Sequence, residues 1–76
     1  MNTPKFLMVE FYPGPFSGLV DKTEYELEDL NIKDRTGYYG PRLDKIESEV
    51  LALAIGHTKV IHTNCKNYRI EITRIK

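Results

Sequence analysis

The chain has 76 residues, 41% hydrophobic and 29% charged, with eleven cations balancing eleven anions and a sequence pI near 6.7. A chain of this size is one domain and buries only about 60% of its unfolded surface, which leaves a thin core and little room for an enclosed pocket. The zero net charge removes whole-molecule steering toward nucleic acid or anionic lipid. One cysteine excludes an intramolecular disulfide and fits a reducing compartment. No run approaches the ~20 apolar residues of a membrane span, and the apolar run of "MNTPKFLMVEFYPG", followed by Glu10, is too short for a signal peptide. A cytoplasmic single domain spanning residues 1–76 is expected.

The balanced total conceals an asymmetry. Residues 21–34 hold six carboxylates against Lys22 and Lys33, whereas residues 57–76 hold five cations against Glu71 alone. The chain therefore presents an acidic segment and a basic tail, facing either each other or partners.

Residues 5–12, "KFLMVEFY", form an apolar run of strand length closed by "PGP". Leu7, Val9 and Phe11 point to one side, and Phe6, Met8, Glu10 and Tyr12 to the other. "PGPFSG" is a loop, since its prolines and glycines support no regular ladder. "KTEYELED" alternates strictly, with Glu24, Glu26 and Glu28 on one side and Tyr25 and Leu27 on the other. That period of two predicts a half-buried strand with a wet acidic face. Because glutamate is a poor strand former, a helix is the rival reading.

From Leu43 the period changes. Leu43, Ile46, Val50, Leu53 and Ala54 fall on one helical stripe. Pro41 suits the first turn, Asp44 with Glu47 resembles a capping box, and Gly56 is a natural stop. "TKVIHTNCKNYRIEITRIK" reads as a hairpin turning at Lys66-Asn67, with Cys65 opposite Tyr68, Thr63 opposite Ile70 and Ile61 opposite Ile72. Those six share the face toward the helix, leaving Val60, His62, Asn64, Arg69, Glu71 and Thr73 on the other. The expected layout is β-β-α-β-β, an α+β two-layer sandwich with an antiparallel sheet and one helix on one face.

Chemistry-bearing residues are sparse. "RTGYYGPR", residues 35–42, joins the acidic segment to the helix. Arg35 and Arg42 near a helix N-terminus would attract an anion, and Tyr38 and Tyr39 could stack a base or fill a partner's pocket. The plainer alternative is that Gly37 and Gly40 shape the turn, Pro41 starts the helix and one tyrosine lids the core. The phosphate-loop and dinucleotide glycine spacings are absent. His62 and Cys65 point to opposite faces of the expected hairpin, so with His57 they make no zinc site. Ser17 lacks the G-x-S-x-G elbow, Cys65 has no base beside it, and Glu24, Glu26 and Glu28 read as a solvated face. No catalytic constellation, cofactor or metal is expected.

Binding through the surface is the remaining class. A protein-binding module would use the acidic strand and the tyrosine loop, with Glu24, Glu26, Glu28, Arg35, Tyr38, Tyr39 and Arg42 as contacts. Small acidic-faced α+β chains are similar in size and style to phage or plasmid proteins that disable host systems, which implies an inhibitor. Nucleic-acid binding through Lys59, Lys66, Arg69, Arg74 and Lys76, or binding of a small anion between Arg35 and Arg42, are the alternatives. If the helix leaves Phe6, Met8 and Tyr12 uncovered, that face would support a homodimer.

Overall fold

The computed structural model describes residues 3–12, 18, 24–64 and 67–76. The expectations placed on Ser17, Asp21, Lys22, Cys65 and Lys66 fall outside them. In chain order the elements are β1 (Phe6–Phe11), a 3-10 turn (Glu28–Leu30), α1 (Ile32–Thr36), α2 (Gly40–Leu51), β2 (Thr58–His62) and β3 (Arg69–Arg74). The strands form one antiparallel sheet in the order β1-β3-β2. The α+β class stands as expected, with three strands in place of four and two helices in place of one among the described residues.

The acidic segment is the first correction. Tyr25 makes a single bridge to Phe6, each N–H donating to the other's carbonyl at 2.8 Å, and the segment then leaves the sheet. The Asp29 N–H reaches the Glu26 carbonyl at 3.0 Å and the Leu30 N–H the Leu27 carbonyl at 3.2 Å, which closes the 3-10 turn. Glutamates gain little from extended pairing, whereas turning carries Leu30 into the core and packs Leu27 against it. The expected sidedness survives: Tyr25 is buried, while Glu24 and Glu28 are exposed.

Helix α1 has no sequence stripe of its own. The backbone at Asn31 (φ 48°) and at Gly37 (φ 78°) is left-handed at its two ends, and the buried Thr36 hydroxyl donates to the Ile32 carbonyl at 2.6 Å. Helix α2 starts at Gly40 with Pro41 in its first turn and carries Leu43, Ile46 and Val50 to the core, as expected. No side chain caps it, because Asp44 sits a full turn inside the helix instead of at its start. It stops at Leu51, so Leu53 and Ala54 of the expected stripe lie beyond it, and it ends short of Gly56. Gly56 (φ 87°) instead shapes a turn in which the His57 N–H donates to the Ala54 carbonyl at 3.0 Å. The Gly56 N–H reaches the Arg74 carbonyl at 2.7 Å, binding this connection to β3.

In the hairpin, Ile61 pairs with Ile70 and Lys59 with Ile72, two residues off the expected register. The Thr63 N–H bonds the Tyr68 carbonyl at 3.2 Å, so Tyr68 faces Thr63 where the tight turn expected Cys65. A slip of two preserves facing. Ile61, Ile70 and Ile72 therefore still point to the core, and Val60 and His62 still point away.

Met8 lies opposite Ile72 and Glu10 opposite Ile70. That register puts the row Phe6, Met8 and Glu10 on the isoleucine side, under the helices. Phe6 and Met8 are fully buried, so they do not form the uncovered face on which the homodimer expectation rested. The open side carries the half-buried Leu7, Val9 and Phe11, with Arg69 stacked over Phe11 at 4.2 Å from the ring centre.

Candidate functional site

A groove of about 340 Å³ separates α2 from β2. Arg42, Lys45, Ile46 and Glu49 recur at helical spacing along one wall, Tyr38 closes one end, and residues Lys59–His62 form the other wall. Tyr38 is only 8% exposed, and its hydroxyl donates to the His62 carbonyl at 2.6 Å. The Arg42 guanidinium lies over its ring, 4.1 Å from the centre, a contact worth about 0.5–1 kcal/mol where exposed. Lys59 donates to the Glu49 carboxylate. That bond holds the Glu49 carboxyl below its ordinary value; partial desolvation opposes the shift, and the Lys59 and Lys45 charges add to it. With Glu49 held by Lys59, Arg42 and Lys45 are cations of the groove with no ion pair to a described residue.

The strand wall offers backbone as well as side chains. Thr63 bonds to Tyr68 and Arg74 to His57 across the β2–β3 pair. With the antiparallel period of two, Lys59 and Ile61 also direct their N–H and C=O groups to β3. Thr58, Val60 and His62 direct theirs outward, along the edge of the sheet. Tyr38 takes the His62 carbonyl, and no described residue bonds the backbone of Val60.

The residues singled out by sequence are dispersed. Tyr38 and Arg42 line the groove, and Tyr39 stands 76% exposed at the start of α2. Arg35 faces β1, donating to the Glu10 carboxylate and, at 2.7 Å, to the Leu30 carbonyl. Because β3 lies between β1 and β2, the two arginines do not converge as a joint anion site. Glu24 pairs with Lys76 at 2.6 Å and Glu26 with Lys5 at 2.7 Å. Each ion pair holds its carboxyl below the ordinary value, chiefly through the lysine hydrogen bond. The acidic segment thus faces the chain's own basic residues, and Glu28 opens the exposed 3-10 turn.

The basic hairpin is similarly committed. Arg69 meets Glu71 at 3.4 Å, and Arg74 donates to the Leu53 and Lys76 carbonyls at 3.0 Å each. Sequence reading missed Lys45, Glu49 and the free edge of β2. The spacing Arg42, Lys45, Glu49 beside the apolar stripe was the available signal for the helix wall, whereas nothing local marks a strand as an edge.

A second polar cluster lies at the far edge. Glu10, 6% exposed, accepts from both Arg35 and the Tyr12 hydroxyl. Tyr12 stacks on Tyr68 at 4.7 Å between ring centres. The hydrogen bond to Glu10 pushes the Tyr12 hydroxyl well above its ordinary value, with a bond to Tyr68 adding to it. Every described buried side-chain polar atom has a partner. Among the described residues no three His, Cys, Asp or Glu side chains gather to hold a metal ion, and no helix is long and apolar enough to cross a membrane. Compared with known protein families, curated proteins and solved structures, the chain matches none.

Proposed function

We propose that this chain is a non-enzymatic protein-binding module whose contact surface is the groove between α2 and β2. The observation that carries the reading is the coincidence of two features. Arg42 and Lys45, without ion-pair partners among the described residues, lie along the same groove as an outward-facing strand backbone. Unpaired strand groups are a template for another polypeptide, and two adjacent cations give that polypeptide a sign.

Nucleic acid fits less well. A phosphate backbone accepts hydrogen bonds but donates none, so it would leave the outward strand carbonyls unanswered, and Arg69, Arg74, Lys59 and Lys76 are engaged within the chain. The contact set accordingly changes from the one read in sequence. Tyr38 and Arg42 remain, Tyr39 is an exposed neighbour, and Arg35, Glu24 and Glu26 serve the fold. An intracellular inhibitor, as the likeness in size and style implies, is one form such a module takes.

The test is affinity capture from the native cell with the wild-type chain and with an Arg42→Glu/Lys45→Glu variant, each checked by circular dichroism. The reading expects a protein captured by the folded wild type and released from the equally folded variant. Equal capture of the same protein by both would refute it.

A further inference from the structure

We infer that the partner enters this groove as an added strand, an extended acidic segment that hydrogen-bonds along β2 and widens the sheet to four strands. The inference rests on the groove reading above and specifies its occupant.

Strand addition needs an edge that is straight, exposed and undefended. β2 pairs with β3 over all five residues without a break, so no bulge twists it away. It contains no proline. Its one lysine, Lys59, points under the sheet to Glu49 instead of guarding the edge. Val60, at the middle of the strand, is 46% exposed and directs both backbone groups outward. The Tyr38 hydroxyl on the His62 carbonyl sets one end of the track. Thr58 and Val60 have no described partner for either backbone group.

Side-chain alternation then sets the sequence preference. Successive residues of an added strand point to opposite faces. One set lies on the α2 side, where Arg42 and Lys45 face it and favour carboxylates. The other set lies beside Val60 on the open face and favours apolar, β-branched residues. The recognised pattern is a carboxylate at every second position with apolar residues between.

A second copy of the chain fits this track poorly. β2 itself reads "TKVIH", so edge-to-edge pairing would bring Arg42 and Lys45 no carboxylate, and the Lys59 of each copy is already engaged by its own Glu49.

The probe is a capped nine-residue peptide alternating Glu with Val, titrated at pH 7 and low salt into the full chain and followed by amide NMR and hydrogen exchange. Exchange at the Val60 N–H should slow by about tenfold or more as a new bond forms, while Ile61, already bonded to β3, changes little. The same peptide with Lys for Glu should bind at least about tenfold more weakly, as should the Glu peptide to Arg42→Glu/Lys45→Glu. Binding that leaves Val60 exchange unchanged would overturn the inference. So would equal binding of the lysine peptide, no binding at millimolar concentration, or Val60 protection that rises with protein concentration in the absence of peptide. If the peptide fails but the double variant still releases the captured protein, the strand geometry is wrong and the groove reading stands. If the variant captures that protein as the wild type does, the groove reading falls as well.

Discussion

β1 and β2 both flank the central strand, yet among the described residues the outer edge of β1 is held at Phe6 and Glu10 and that of β2 only at the His62 carbonyl. On β1, Tyr25 exchanges two backbone bonds with Phe6, and the Gly18 N–H donates to the Glu10 carbonyl at 3.0 Å. The Glu10 side chain is then held by Arg35 and Tyr12. On β2, Tyr38 caps a single carbonyl and Val60 has no described backbone partner. Folding supplies a strong reason to close an edge, because an unpaired strand invites aggregation. That contrast between the two edges is what the open-edge proposal rests on.

The difference should appear first in stability. Tyr25→Ala keeps the backbone bonds to Phe6 but removes the buried ring that anchors this segment, and should cost about 3–5 kcal/mol in urea unfolding. Val60→Ala at the open edge should stay within about 0.5 kcal/mol. Comparable losses at the two positions would erase the contrast.

The arginines of "RTGYYGPR" sharpen the comparison, since one serves each side. Arg35→Ala strips a charged donor from the buried Glu10 and should cost about 1.5–3 kcal/mol. Arg42→Ala should cost under about 1 kcal/mol and weaken partner capture. A variant pair with the two effects exchanged would reverse the assignment.

Gly37 ties α1 to the hairpin that carries β2. Its backbone is left-handed (φ 78°), and a Cβ there would lie 3.1 Å from the Asn64 side-chain nitrogen. Gly37→Ala should therefore destabilise by about 1–2 kcal/mol. Measured by thermal unfolding, a neutral result would show that this connection does not set the position of β2.

The smallest effects are those of pH. Tyr12 has a raised folded-state pKa, so its contribution is complete below its unfolded value of 10.0 and is lost as pH rises beyond it. Stability of the wild type should fall on the alkaline side, and Tyr12→Phe should remove that part of the fall. Glu24, Glu26 and Glu49 have lowered values, so their contributions are present above 4.5 and are lost as pH falls through the folded values. These groups are solvated and the acid effect should be slight; Lys5→Met should diminish it.

Much of the fold was legible because burial follows period. The stripe Leu43, Ile46, Val50 gave α2, and alternation gave the facing of Ile61, Ile70 and Ile72 even with the register two residues off. The row Phe6, Met8, Glu10 was also separated correctly from Leu7, Val9 and Phe11, but which row meets the helices depends on strand order. Period says nothing of that order. "KTEYELED" alternates as a strand would, yet among its described residues only Tyr25 bridges to the sheet, at Phe6, and a 3-10 turn follows from Glu28. Helix α1 is five residues held by the long-range bonds of Thr36 to Asn64 and Arg35 to Glu10, and leaves no periodic trace.

The candidate site was legible only at Tyr38 and Arg42. Charge content could not distinguish Arg42, which faces the groove, from Arg35, which is spent on Glu10. Nor could it show that Glu24 and Glu26 are already answered by Lys76 and Lys5. An edge is a property of the assembled sheet, and β2 became one only when β3 took the centre.

The most direct measurement places proline at adjacent positions of β2. The Val60 N–H points outward, so Val60→Pro removes a donor that the ladder does not use, whereas Ile61→Pro breaks a bond to β3 and empties a core position. Capture of the cellular partner is then compared with thermal unfolding for each variant. The open-edge reading requires Val60→Pro to remain cooperatively folded and lose the partner, while Ile61→Pro fails to fold. A folded Val60→Pro chain that captures its partner as strongly as the wild type would contradict it.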